Sequence, residues 1–380
     1  MTWTPRPPQC ARRTSDFADP RAWQTGEVKV LVAMSGGVDS SVAAALMVRE
    51  GHDVAGATLK LWGGASDSGC CSVTDVDDAR RVAQVLGIDH FVFNYTDEFN
   101  HHVVDPFVED YQRGYSPNPC IECNRHLKFD LFVARARRLG FDRVVTGHHA
   151  RVLETPRGRE LHRGADSGKD QSYVLGYLGA DELDIVDLPV GHFTKDRVRE
   201  LAARWNLRTW DKPDSQDVCF IESTAGREAF LRQRFEPTRA LLIDSETGDE
   251  VGEVPAAELM TVGQRRGVLP GRHGERRYVT RVDLPARRVE IGPLERTLVH
   301  EVHLSGSPQV NRRIALRGGD PVLAQTSAHG EPRPGRLLES RGAWRVVFSR
   351  PERAVAVSQS VVLYDPLEPE RVIGAAQVAP

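Results

Sequence analysis

No stretch of this 380-residue chain is apolar over the ~20 residues that a membrane-crossing helix needs, which argues against a helical membrane protein. The chain holds only six cysteines, too few and too scattered for the disulfide framework of a small secreted domain. Residues 1–27 are rich in proline and arginine but lack the apolar core of a secretory signal. They are expected to form a flexible extension on a cytoplasmic protein, where clustered cysteines point to metal or sulfur chemistry. There is no internal repeat. Nor is there an excess of positive charge: the formal net charge is −3, so a nucleic-acid partner would have to be met by local basic patches. Two such patches exist. Residues 265–288 hold eight arginines against Glu275 and Asp283, and residues 312–353 hold nine against four acids. On charge alone they fit solvated β-hairpin faces equally well.

Residues 30–48, VLVAMSGGVDSSVAAALMV, read as a buried parallel strand, a tight loop and a helix. Gly36 and Gly37 allow a close backbone approach. Asp39, Ser40 and Ser41 are residue types that cap helix N-termini. Backbone N–H groups gathered at a positive helix end make an anion site. No Lys-Ser/Thr pair follows the glycines, which excludes a Walker-type loop. Ser35–Ser40 instead resembles the SGGxDS loop of the PP-loop ATP pyrophosphatases.

Strands and helices alternate from Val28 to about residue 150, the pattern of a doubly wound α/β parallel sheet. Ser35, Leu59, Tyr95 and Gly147 fall at strand carboxyl ends, where such sheets bind ligands. DHFVFNY is expected to be a strand, and LKFDLFVARARRLG to start a helix after a loop SPNPCIECN. After about residue 236 short strands dominate. The expected organisation is an extension (1–27), a catalytic domain (28–235), a small β-rich central domain (236–295) and a C-terminal β-barrel (296–380).

Cys120 and Cys123 form a C-x-x-C after two prolines, a spacing that serves a metal, a cluster or a redox pair. Cys219 is expected to enter an apolar strand after an acidic turn, and taken alone is equally a buried core cysteine. Cys70 and Cys71 read as loop residues.

These pieces, with CCSVTDVDDARRVA (70–83), PNPCIECNRHLKF (117–129), TGHHAR (146–151), GKDQSYVL (168–175), DSQDVCFI (214–221), TVGQRRGV (261–268) and AVSQSVVLYD (356–365), closely resemble the tRNA-specific 2-thiouridylase family from about residue 28 to 378. The resemblance implies a nucleotide α-hydrolase domain, a central domain and a β-barrel. It implies adenylation of C2–O of the tRNA wobble uridine with ATP and Mg²⁺, followed by sulfur transfer, the activity of a tRNA-uridine 2-sulfurtransferase. By position, Cys219 resembles the persulfide carrier and Cys123 the nucleophile that resolves it. Ala33, Met34, Ser35, Gly36, Gly37, Val38, Asp39, Ser40, Leu59 and Gly147 resemble ATP contacts. His148, Lys169, Asp170, Gln171 and Gln359 resemble contacts to the tRNA anticodon stem-loop. Implied partners are tRNA and an upstream sulfur carrier or cysteine desulfurase, with a monomer acting on one tRNA.

Many members of the family have Asp where this chain has Cys120, so three thiols (120, 123 and 219) match the ligands of a [4Fe-4S] cluster with one open iron as well as a persulfide relay. The family's RYRQ-like strand is present only as Ala315-Leu316-Arg317-Gly318, and no contact is transferred there. Rival functions are a PP-loop amide ligase or amidotransferase, which needs no cysteine triad, and an inactive tRNA-binding module.

Overall fold

The computed structural model describes residues 28–62, 73–214, 218–221, 226–268, 270–271, 274–310 and 315–380. The N-terminal extension and Cys70-Cys71 lie outside them.

The alternating pattern folds as expected. Strand β1 (Lys29–Ala33) leads through the glycine loop into helix α1 (Val38–Glu50), β2 (Asp53–Lys60), helix α2 (Val73–Leu86), β3 (Asp89–Asn94) and β4 (Arg143–Val145). A hairpin, β5 (Ala150–Thr155) and β6 (Gly158–Arg163), intervenes before β7 (Val186–Asp187). The sheet order is β3-β2-β1-β4-β7, and every neighbouring pair is parallel. Alternation along β1 feeds two cores. Val30 and Val32 pack with α1, Ala79 and Val82 of α2, and Val198 and Leu201 of the helix Lys195–Arg204. Leu31 packs on the opposite face with Phe99, Phe107, Leu127 and Phe132.

β3 forms the sheet edge, with Phe91 44% and Val92 43% exposed. An apolar run cannot tell a central strand from an edge one. One expectation fails: the cysteine-bearing stretch is not a loop. Asn118 accepts hydrogen bonds from the Cys120 and Ile121 backbone N–H groups (3.2 and 3.4 Å), and Pro119 takes the first helical position, so a helix starts at Pro119. After one turn it widens into a π-helix over Cys123–Leu131 and then narrows over Phe132–Arg138. The preceding helical stretch has its own π segment, Asn100–Val104. Residues 170–178 contain a single 3₁₀ turn, Ser172–Leu175.

The second sheet takes β8 (Ala240–Asp244), β9 (Glu250–Val254), β10 (Tyr278–Asp283) and β11 (Arg288–Gly292) in the order β10-β11-β8-β9. The last unit is antiparallel: β12 (Leu298–Leu304), β13 (Pro321–Gln325), β14 (Arg333–Ser340), β15 (Ala343–Arg353), β16 (Ser360–Tyr364) and β17 (Val372–Gln377), ordered β12-β15-β14-β13-β16-β17. Its two edges meet at one end. Ser305 N donates to Gln377 O (2.8 Å) and Ala379 N to His303 O (2.9 Å), which curls the sheet toward a barrel and satisfies edge groups.

This unit shares a core with the parallel domain through Val362, Tyr364, Val372 and Ala375. Buried hydroxyls fix the junction: Tyr173 donates to Ser360 O (2.8 Å), and Ser172 Oγ pairs with Tyr364 OH (2.9 Å). Tyr173→Phe leaves the Ser360 carbonyl without its donor and should cost about 1–3 kcal/mol, read as a lower midpoint in urea unfolding. An unchanged midpoint would mean that the bond contributes nothing to docking.

Candidate nucleotide and sulfur-transfer site

The loop is built from the backbone outward. Gly36 has φ +73°, and a Cβ there would stand 2.3 Å from Asp75 O, so only glycine fits. Gly37 is the N-cap of α1, and no side chain caps the helix. Asp39, Ser40 and Ser41, expected to be caps, do other work. The Ser40 and Ser41 hydroxyls donate back to Gly37 O (3.2 and 2.8 Å), and the Ser35 N–H donates to Ser40 Oγ (3.2 Å). The loop is thereby folded by its own hydroxyls, while the helix terminus keeps its positive end for an anion. Met34 and Val38 are buried beneath the loop, and Leu59 near the end of β2 is buried too. Gly147, just beyond β4, abuts the first turn of α1: a Cβ there would lie 2.6 Å from Ser40 N.

Charge converges on this loop from segments distant in sequence. Lys195 Nζ lies 2.8 and 2.7 Å from Asp39 Oδ1 and Oδ2, and 2.9 Å from Asp214 Oδ1. His149 Nε2 lies 3.0 Å from Asp39 Oδ1. Asp214 also accepts from Lys169 and Arg199, each at 2.8 Å. On the other side Lys212 donates to Gly36 O (3.0 Å), Asp75 (2.6 Å) and Asp78 (2.9 Å). Burial alone would raise the Asp39 carboxyl, but His149 and Lys195 outweigh it and hold the group below its ordinary value. Burial likewise opposes ionisation of Asp214, and Lys169 and Lys195 overcome it to hold that carboxyl well below the usual range.

His149, Lys195 and Lys212 were not singled out from the sequence. Lys195 does leave a local signal. It opens a helix capped by Thr194, where the dipole favours acids, so a lysine there asks for a reason.

Of the residues read as tRNA contacts, Lys169 and Gln171 touch this network directly. His148 is buried with Nδ1 2.6 Å from Thr146 Oγ1. Gln171 Oε1 accepts from the His149 N–H (2.8 Å). Asp170 accepts from the N–H groups of Gly164 and Ser172 and from Ser172 Oγ. Gln359 donates to Ser116 O, across to the parallel domain. Lys169, on Asp214, keeps 40% of its side chain exposed.

Burial, helped by Lys128 and His149, pushes the His148 imidazole well below 6.5. The folded state therefore resists a proton that the unfolded chain accepts as pH falls through that value. Stability from this group is full above pH 6.5 and declines below it. Urea midpoints measured from pH 7.5 to 5 should fall more steeply in the parent protein than in His148→Gln. Equal slopes would show that His148 does not titrate this way.

Cys123 is buried in the core with Ile121 and Leu127, Cys219 is half-buried against the same core, and Cys120 is exposed. Cys219 sits in a turn, Val218–Ile221, closed by Ile221 N to Val218 O (2.9 Å), rather than in the expected strand. The following Phe220 anchors it among Phe107, Phe230 and Phe99, with ring centroids 5.3, 5.1 and 5.7 Å away. Among the described residues, no three His, Cys, Asp or Glu side chains converge as a metal site, the three cysteines included.

The arginine patches are partly spent internally. Arg277 is held by Glu246, Glu275 and Asp244, Arg281 by Asp283, and Arg345 by Glu301. Arg265, Arg266, Arg287 and Arg288 are exposed.

A five-stranded parallel sheet, a glycine loop at the end of its central strand and an uncapped helix behind that loop define a PP-loop nucleotide-binding domain. A family model described as the tRNA methyl transferase HUP domain matches residues 28–223. The tRNA-specific 2-thiouridylase MnmA of Chloroflexus aurantiacus is 42% identical over 366 residues, covering 92% of this chain and 98% of that protein. Its counterpart in Mycolicibacterium vanbaalenii is 42% identical over 362 residues, with 93% and 99% covered. The chain belongs to the tRNA-specific 2-thiouridylase MnmA family. Solved structures are matched remotely: a 4-thiouridine synthetase–RNA complex with bound ATP gives a TM-score of 0.35 at 16% identity, covering 51% of this chain and 45% of that one.

Proposed function

We propose that this protein converts the wobble uridine of tRNA to 2-thiouridine. The C2 oxygen attacks the α-phosphorus of ATP, which enters with Mg²⁺, and pyrophosphate leaves into the loop Ser35–Ser40. A persulfide on Cys219 supplies the sulfur: its terminal sulfur bonds to C2 and AMP departs with the oxygen. Cys123 then attacks the Cys219 sulfur, releasing the thiolated base and leaving a Cys123–Cys219 disulfide that an external thiol reopens. A sulfur carrier or cysteine desulfurase reloads Cys219. His148, Lys169, Asp170, Gln171 and Gln359 take the anticodon stem-loop, with the uridine extruded from its stack. The protein acts as a cytoplasmic monomer on one tRNA.

The observation that carries this reading is the linkage of two chemistries. The ion-pair chain Asp39–Lys195–Asp214 runs from the anion loop to a residue five positions before Cys219, and Cys219 packs on the core that holds Cys123. A ligase needs the first feature and has no use for the second. The test is mass spectrometry of tRNA nucleosides after incubation with ATP, Mg²⁺ and a persulfide source. Formation of 2-thiouridine supports the proposal. ATP cleavage that depends on an amine acceptor, without 2-thiouridine, would replace it with the ligase reading.

A further inference from the structure

Lys195 combines three unusual properties. It occupies the first position of a helix, against the backbone dipole. Only 7% of it is exposed, although a buried ammonium is costly unless paired. It is paired twice over, with Asp39 in the anion loop and with Asp214.

The partners of those carboxylates decide what the pairing is for. If Lys195 turned away, Asp39 would still hold His149 at 3.0 Å. Asp214 would still hold Lys169 and Arg199, both at 2.8 Å. Neither carboxylate would be left buried and unpaired, which is the main penalty for breaking a buried ion pair. Lys195 can thus leave Asp39 without stranding either carboxylate. It stands beside a helix terminus already suited to an anion.

We propose that Lys195 is a phosphate-exchange lysine. In the empty site it rests on Asp39. It moves onto the β- and γ-phosphates of ATP, and it returns to Asp39 when pyrophosphate leaves. Asp214 is the fixed pivot that keeps the ammonium within reach of both positions. The exchange releases Asp39 to face the cation that accompanies the nucleotide. It also gives the site a reason to hold ATP and pyrophosphate more tightly than AMP. The inference rests on the ATP-using reading above but needs no tRNA to be tested.

The experiment is calorimetric titration of the full-length protein with ATP, pyrophosphate and AMP, each with Mg²⁺, in parent, Lys195→Met and Asp214→Asn forms. Loss of a charged hydrogen bond to the phosphates should weaken ATP and pyrophosphate binding by about tenfold or more in Lys195→Met. AMP affinity should stay within about twofold. Asp214→Asn should shift ATP in the same direction by a smaller factor, again sparing AMP. Parallel loss of ATP and AMP would give Lys195 a structural role and overturn the proposal, as would unchanged ATP affinity. If Lys195→Met does not fold, Asp214→Asn decides: selective weakening of ATP supports the pivot, and parent-like binding overturns it. A parent protein that binds neither ATP nor pyrophosphate would overturn this inference together with the function it rests on.

Discussion

Cys219→Ala should abolish 2-thiouridine formation, by more than about a thousandfold, while leaving ATP affinity unchanged. In the proposed relay the sulfur that reaches C2 is carried on this side chain, and no other group in the Val218–Ile221 turn can form a persulfide. Phe220, deep in its aromatic cluster, should hold the turn whichever small residue precedes it. Cys123→Ala should show a comparable loss over many turnovers, because the persulfide sulfur is no longer displaced. Cys120 separates the two sulfur routes. If the relay is correct, Cys120→Asp keeps activity, since its exposed thiol takes no part. An anaerobically purified brown protein whose iron, sulfide and activity all vanish in Cys120→Ala would sink the relay and restore the cluster. Nucleoside mass spectrometry and metal analysis on the same preparations give both answers.

The second large effect belongs to a residue with no side chain. Gly147→Ala places a methyl group 2.6 Å from Ser40 N and 2.8 Å from the Asp39 carbonyl carbon. Both are backbone atoms in the first turn of α1, and a helix turn cannot step aside as a long side chain can. The overlap must be relieved by displacing the helix terminus from the strand end, at about 1–3 kcal/mol. That displacement moves the N–H groups that would meet phosphate. We expect ATP affinity to fall by about ten- to a hundredfold, with the parallel sheet intact by circular dichroism. Parent-like ATP binding in Gly147→Ala would show that the loop and β4 need not touch.

What could be read in the sequence was local. The SGGVDS loop, β1 and α1 are specified within twenty consecutive residues by an apolar run, glycine and hydroxyl types, and they formed where expected. The change to short strands after residue 236 was equally visible. The misses were of two kinds. The helix at Pro119 had a local signal, an Asn-Pro cap, masked by the habit of treating paired prolines as loop. The edge position of β3, the meeting of β12 with the chain after β17, and the arrival of Lys195 at Asp39 had little or none. Each depends on partners separated by tens to hundreds of residues, and no spacing rule records which carboxylate a lysine will find.

The π-helix that begins at Cys123 has a consequence for how the thiol is aimed. Bonding i to i+5 lets the segment hold one residue more than an α-helix with the same ends. Removing a single residue between Asn124 and Leu131 would let the turn relax to ordinary bonding, with Phe132–Arg138 still seated on the sheet. The side chains within the segment would then be redistributed around the axis at the ordinary ~100° per residue. The direction of the sulfur is therefore stored as a residue count rather than as the identity of any neighbour. Substitution scanning would pass over it, and natural variation there should conserve length more strictly than composition.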